Sequence, residues 1–347
     1  MTLPVVAVAL SGGVDSLVAG FLIKRDYKKV FGIHFTTGYE KKITNVKSLE
    51  QQLGFPVHTI DLSQVFEEEV VAYFMDTYLD GKTPNPCVIC NKKIKFGVLL
   101  DEARELGADA LATGHYATIV NPLVFPERKI SKSWLEKGVD PLKDQSYFLS
   151  MLSSDQLERT LLPLAGYSKP QVKAVAKKNN LMPLTPGESQ DICFIQDTSF
   201  SQFIIDKKGI LPKSGNIKDL TGKIVGTHKG LHAFTIGQRR GIDCPASEPY
   251  YVKHINLSTN TLVVCFKNDL AATKMQVDDI IWNYSENKEI LTMTTKIRYA
   301  HKGATSQLIR NGASGQVIFD APQLAITPGQ AAVFYKNNRV LGAGIIQ

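Results

Sequence analysis

Val5-Val6-Ala7-Val8-Ala9-Leu10-Ser11-Gly12-Gly13-Val14-Asp15-Ser16-Leu17-Val18 is the stretch whose reading decides the fold. Six apolar residues run without a break, two glycines follow, and then Leu17, Val18, Phe21 and Leu22 fall at helical spacing. An unbroken apolar run of this length reads as a strand covered on both faces. A strand that turns on glycines into a helix is the opening unit of a parallel α/β sheet. Outward from it the alternation continues. Strands are expected at 30–35, 57–62 and 110–113. Helices are expected at 17–24, at 43–53 up to Gly54, through Val65, Val70, Phe74 and Tyr78, and at 93–106 up to Gly107. In such a sheet ligands sit at the carboxyl ends of the strands.

Past residue 200 the character changes. Short segments punctuated by Gly and Lys occupy 213–231, and alternating strands run from 263 onward, with a hairpin expected around Asn337-Asn338. The expected organisation is an α/β parallel-sheet domain at 1–200, a small linking domain at 201–267 and a C-terminal β-barrel at 268–347. A chain of 347 residues is long for a single core, so several domains are expected anyway. Its composition, 44% hydrophobic and 21% charged, excludes wholesale disorder. A formal net charge of +7 fits a polyanionic partner, although a basic enzyme without one has the same balance. No stretch is apolar enough to span a bilayer, and no basic leader precedes the first strand, so no membrane partner and a cytoplasmic location are expected. Five cysteines argue against a disulfide scaffold. Cys244 and Cys265 read as buried structural thiols, leaving Cys87, Cys90 and Cys193 in polar, turn-rich surroundings.

Two constellations carry chemistry. In the first, glycines at 12 and 13 bare backbone N–H groups toward a phosphate, and the helix that follows presents its positive end. Ser11 and Ser16 offer hydroxyls, and Asp15 is a candidate ligand for Mg2+. The loop lacks the terminal Gly-Lys-Ser/Thr of the Walker type. In the second, a two-proline turn, Thr83-Pro84-Asn85-Pro86, delivers the pair Cys87 and Cys90 just before the expected helix. Asn91 is its candidate N-cap, and the positive helix end is expected to lower a nearby thiol pKa. A lone C-x-x-C serves zinc, redox and structural roles alike.

SGGVDS resembles the pyrophosphatase-type loop of enzymes that split ATP into AMP and pyrophosphate. With TPNPCVICNKKIKFG, ATGHYA, KDQSYFL, the CFI at Cys193, GQRRG and TPGQAAVFY in one order, nearly the whole chain resembles the tRNA-specific 2-thiouridylase family. That resemblance implies a PP-loop nucleotide-binding domain and ATP-dependent thiolation at the 2-position of the wobble uridine in tRNAs for Lys, Glu and Gln. It assigns Ala9, Leu10, Ser11, Gly12, Gly13, Val14, Asp15 and Ser16 to the ATP phosphates, and Phe35 and Gly114 to the adenosine pocket. Asn85, Pro86 and Cys87 align with the segment meeting the base. Lys143, Asp144, Gln145, Arg298, Tyr299, His115 and Gln330 match tRNA-contacting positions. Extruding the base from its stack is what such chemistry requires.

Many family members carry Asp where this chain has Cys87. In that pattern Cys90 is the nucleophile, Cys193 carries a persulfide sulfur, and the two close into a disulfide after transfer. Three thiols also suit a [4Fe-4S] cluster held by Cys87, Cys90 and Cys193 with a fourth iron open to hydrosulfide. Zinc is a third option and needs a further ligand such as His115. The sulfur donor is accordingly hydrosulfide or a persulfide relay protein. The segment 36–53 is short for the family, and 187–196 keeps the cysteine but varies around it. Rival readings are another PP-loop tRNA-modifying enzyme, such as a cytidine thiolase, and a non-catalytic RNA-binding protein.

Overall fold

The computed structural model describes residues 4–41, 44–124, 132–184, 192–283 and 290–347. They fall into two compact bodies. The first takes residues 1–70, 87–194 and 337–341, and the second takes 71–86, 195–336 and 342–347.

In the first body the expected strands are present as β1 (Val5–Ala9), β2 (Lys29–Thr36), β3 (Val57–Asp61) and β4 (Ala110–Ala112). A hairpin, β5 (Ala117–Val120) and β6 (Trp134–Lys137), follows, and then the two-residue β7 (Thr160–Leu161). The sheet is parallel in the order β3-β2-β1-β4-β7. Its centre is β1, where Val6 faces Val30 on one side and Ala110 on the other. The helix Val14–Asp26 packs Leu17, Val18, Leu22 and Ile23 with Val6, Val8 and Leu10 in one core. Each such side chain taken out of water contributes roughly 1.5–3 kcal/mol. From β1 the chain goes first to one neighbour and returns later on the other side. This makes a switch point where the loops after β1 and β4 sit side by side.

One boundary differs from expectation. The helical run that was to begin at Lys93 already starts at Pro86, as Pro86–Ile89, then Cys90–Val98 in wide π-type turns, then Leu99–Glu105. Proline suits a first helical turn, because the missing N–H is one the helix cannot pair there anyway. Asn91 is therefore not the N-cap: it lies inside the helix, buried, and its Nδ2 donates to the Phe148 carbonyl at 3.2 Å. The described part of the helix expected at 43–53 is Val46–Leu53, capped by Asn45 and closed by Gly54 in the left-handed region. Its first expected residue, Ile43, lies outside the described residues.

The second body holds two β modules. The first is a four-stranded sheet, β8 (Gly215–Lys218), β9 (Ile224–His228), β10 (Tyr251–Asn256) and β11 (Thr261–Cys265), in the order β10-β11-β8-β9. Ile217, Val252, Leu262 and Val264 make its core. The other module is β12 (Ala271–Trp282), β13 (Ile290–Lys296), β14 (Ala304–Asn311), β15 (Ser314–Leu324), β16 (Ala331–Lys336) and β17 (Arg339–Ile346), of which the residues from 342 on belong to this body. They run in the order β12-β15-β14-β13-β16-β17, and pairing of β12 with β17, Val277 opposite Ile346, closes the barrel. The expected turn is there, with Asn337 at φ 57°. Cys265 is buried as expected, and Cys244 is half-buried with its thiol directed at the Ile242 carbonyl. No helix among the described residues is long and apolar enough to cross a membrane.

Candidate active site

The loop after β1 is held from three sides. Leu10 N–H donates to Ile33, and the buried His34 ring donates through Nδ1 to the Leu10 carbonyl at 2.8 Å. Leu184 N–H donates to Gly12 O at 2.9 Å. Gly12 stands at φ 80°, a conformation a side chain would strain, and Gly13 caps the helix without a side chain to occupy its first N–H groups. Ser16 Oγ donates to Gly13 O at 2.9 Å, and Ser11 is exposed at the rim. Gly114 enters from the end of β4. A Cβ there would lie 2.8 Å from the Asp15 carbonyl carbon and 2.9 Å from Ser16 N, so only glycine allows the two loops to meet. Phe35 lies half-exposed near the carboxyl end of β2.

Asp15 is committed to protein partners. Lys169 Nζ lies 2.8 and 2.7 Å from its two carboxylate oxygens, and the Tyr116 hydroxyl donates to Oδ1 at 2.6 Å. As placed, this carboxylate does not fit the expected Mg2+ ligand, because its oxygens already receive an ammonium and a phenol. Neither partner was expected from the sequence. Tyr116 was in view inside ATGHYA. The Ser168…Gln171 box announces a helix start, and the helix is Lys169–Lys178. Nothing in that signal aims the Lys169 side chain at residue 15.

The expected thiols are neighbours in the first body. None of the five cysteines is in a disulfide, and Cys87 and Cys193 are exposed. Cys193 is carried on an aromatic anchor: Phe194 packs on Tyr39 and Phe66 with ring centroids 5.8 Å from each. The lead-in at 185–191 lies outside the described residues, so the expected behaviour of the 187–196 loop concerns a segment that is only partly described. Each of the three thiols has its pKa raised, against expectation. Burial pushes Cys90 up to about 12, and Lys95 pulls the other way while Cys193 and Cys87 add to the rise. Cys87 and Cys193 go up for the same leading reason, since protein crowds their surroundings even though each residue keeps an exposed surface. At Cys90 the loss of solvent outweighs the positive helix end, which therefore does not decide its acidity. Among the described residues no group of three or more His, Cys, Asp or Glu is placed to hold a metal ion. His115, the extra ligand a zinc site needed, is buried and hydrogen-bonds through Nδ1 with Thr113 Oγ1 at 2.8 Å. Burial holds its pKa well below the usual histidine value, with the Lys95 charge acting in the same direction.

The other candidate positions divide. Asp144 is buried and accepts from Gly138 N, Ser146 N and Ser146 Oγ. Gln145 exchanges two hydrogen bonds with the Tyr116 backbone, at 2.9 and 2.7 Å. Both therefore brace Tyr116 and the loop around it, and Lys143 beside them is half-exposed. His115, expected to face tRNA, points inward against Phe96 at 5.9 Å. In the second body Gln330 Nε2 donates to Thr83 O and Pro84 O at 3.1 and 2.9 Å, so the TPGQ tag holds the start of the two-proline turn. Asn85 and Pro86 are buried there. Arg298 reaches the Leu324 carbonyl at 3.2 Å, and Tyr299 stays exposed beside Lys296.

A glycine phosphate loop at the switch point of a parallel sheet, with three thiols in the same body and two β modules in the other, defines a nucleotide-binding α/β enzyme with appended β domains. Family models agree in register. The tRNA methyl transferase HUP domain matches residues 4–197, its PRC-barrel domain 202–266, and the aminomethyltransferase beta-barrel domain 272–346. The tRNA-specific 2-thiouridylase MnmA of Desulfosudis oleivorans is 45% identical, over 99% of this chain and 95% of its own length. Those of Desulfotalea psychrophila and Carboxydothermus hydrogenoformans are 39% and 37% identical, each over 99% of this chain and 98% and 97% of their own lengths. The chain belongs to the tRNA-specific 2-thiouridylase family.

Proposed function

We propose that this protein is a tRNA-uridine 2-sulfurtransferase, acting on the wobble uridine of tRNAs for Lys, Glu and Gln. The observation that carries the reading is one body holding both a glycine phosphate loop and three neighbouring thiols. ATP adenylates the 2-carbonyl oxygen of the base and pyrophosphate leaves. Sulfur then bonds to ring carbon 2, the carbon–oxygen bond breaks, and AMP departs. Loop residues 9–16, with Phe35 and Gly114, take the nucleotide. Asn85, Pro86 and Cys87 present the base, and Lys143, Arg298 and Tyr299 face the RNA. His115, Asp144 and Gln145 support the RNA-facing residues of the first body, and Gln330 those of the second. The three parts at 1–200, 201–267 and 268–347 divide this labour between chemistry and RNA placement.

The persulfide relay suits the thiols best. Plain thiols whose pKa is raised stay protonated near neutral pH, whereas a persulfide is the stronger acid and its terminal sulfur ionises. That sulfur, carried on Cys193, attacks the activated carbon. Cys90 then attacks Cys193 Sγ, giving 2-thiouridine and a Cys90–Cys193 disulfide. A persulfide relay protein supplies the sulfur, and an external thiol reduces the disulfide. The presence of Cys87 favours one second reading. With Cys90 and Cys193 it would hold three irons of a [4Fe-4S] cluster, which would supply an open iron for hydrosulfide. Among the described residues no ligand group is placed round a single metal ion; thiols on separate irons of a cluster stand further apart, so iron analysis and not this spacing decides between the two carriers. Mg2+ enters in this reading with the nucleotide and not as a ligand of Asp15.

Mass spectrometry of nucleosides from tRNA incubated with protein, ATP and a persulfide donor tests the reaction. 2-Thiouridine is the expected product. 2-Thiocytidine, or no thiolated base, overturns it. Anaerobic iron and sulfide analysis separates the carriers, with the relay expected to run at full rate without iron.

A further inference from the structure

The phosphate loop contains a feature that opposes its own task. Asp15 sits in the first turn of the helix Val14–Asp26, within the cradle meant for a triphosphate, and a bare carboxylate there repels each phosphate charge. Its side chain is one-third exposed, while that of Lys169 is 9% exposed. The lysine therefore brings a nearly enclosed ammonium to the cradle. Its placement is over-determined. Its backbone N–H donates to Asp140 Oδ2 at 3.0 Å, and it opens a helix whose Val172 and Ala176 are buried in the same core as the strand before the loop. Nζ also stands 5.9 Å from the Tyr116 ring centroid, and Tyr116 is in turn fixed by Gln145. Two remote segments thus deliver a cation and a phenol to one carboxylate.

We infer that Lys169 is a positioning residue of the nucleotide site, which together with Tyr116 holds and neutralises Asp15 so that the loop accepts the triphosphate of ATP. The inference rests on the reading of this loop as the ATP site. Lys169 acts through Asp15, so removing both charges together should cost little compared with removing the cation alone.

ATP dissociation constants by equilibrium dialysis, with KM and kcat for pyrophosphate release, test it on the full chain, alongside melting temperatures. Lys169→Met is expected to weaken ATP binding about 30-fold, through KM more than kcat, and to weaken adenosine binding about twofold or less. Lys169→Arg is expected to stay within about threefold of the wild type, because it keeps the charge. The double variant Lys169→Met/Asp15→Asn is expected to recover to within about threefold of Asp15→Asn. A double variant as weak as Lys169→Met overturns the inference and makes Lys169 a direct phosphate ligand. Unchanged ATP binding in Lys169→Met also overturns it. If Lys169→Met fails to fold, Lys169→Gln compared with Lys169→Gln/Asp15→Asn gives the same decision. Wild-type protein that binds no ATP removes the reading of the site itself, and is told apart because no variant is needed to see it.

Discussion

The phosphate loop and the thiol cluster lie in one body and are built on opposite plans. At the loop the side chains are already held while the first helix N–H groups are left for a ligand: Asp15 has two partners, Ser16 reaches Gly13, and Gly114 fits without room for a methyl group. At the thiols, Cys87 and Cys193 are exposed, no disulfide is closed and, among the described residues, no set of ligands is placed to hold a metal ion. The difference follows from the two tasks. A site that binds one ligand shape gains from being fixed beforehand, since ordering it later costs affinity. A site that receives sulfur from one partner and passes it to another must stay open on both sides, with bonds that form and break.

The strongest way to break this contrast is at the sulfur. Cys193→Ala and Cys90→Ala should each lower 2-thiouridine formation by about a thousandfold or more, while tRNA-dependent pyrophosphate release survives, because activation belongs to the loop. Pyrophosphate release lost to the same degree would mean that the two regions are one device. Phe194→Ala removes the anchor of Cys193. It should lower stability by about 3–4 kcal/mol in denaturant titrations and slow sulfur transfer more than ATP binding. Gly114→Ala forces a methyl group against the Asp15 and Ser16 backbone, which should cost about 1–3 kcal/mol and weaken ATP without altering thiol reactivity. Smallest is Gln330→Ala. It loses hydrogen bonds to Thr83 and Pro84, with a cost of about 1 kcal/mol in melting or denaturant curves and no change in ATP affinity.

The acidity of Cys90 sharpens the contrast by titration. Its pKa is raised, so the protonated form persists above the usual thiol value, and alkylation by iodoacetamide should keep climbing with pH beyond 9, toward about 12. A plateau below pH 8 would mean that the thiolate is stabilised after all.

How much the sequence made legible follows the same division. Apolar runs and glycines at 5–20 are local facts, so the strand, the loop, the helix and the direction of the sheet could be read from them. The barrel turn at Asn337 was readable for the same reason. The partners of Asp15 were not, because Lys169 lies 154 residues away and its helix signal says where a helix begins, not where a side chain ends. The thiol pKa went the other way because burial, set by packing that no local pattern announces, outweighs the helix end that the sequence does announce. Likewise the hydrogen bonds that Gln330 and Gln145 make with backbone far along the chain have no local signal.

One labelling measurement bears on the central claim most directly. Load Cys193 with a heavy-isotope persulfide, remove the donor, and add tRNA with and without ATP for a single turnover. The account predicts that heavy sulfur appears in 2-thiouridine only when ATP is present, with one Cys90–Cys193 disulfide formed per thiolated base. Heavy sulfur that stays on the protein while unlabelled 2-thiouridine forms, or that leaves Cys193 equally without ATP, would contradict it.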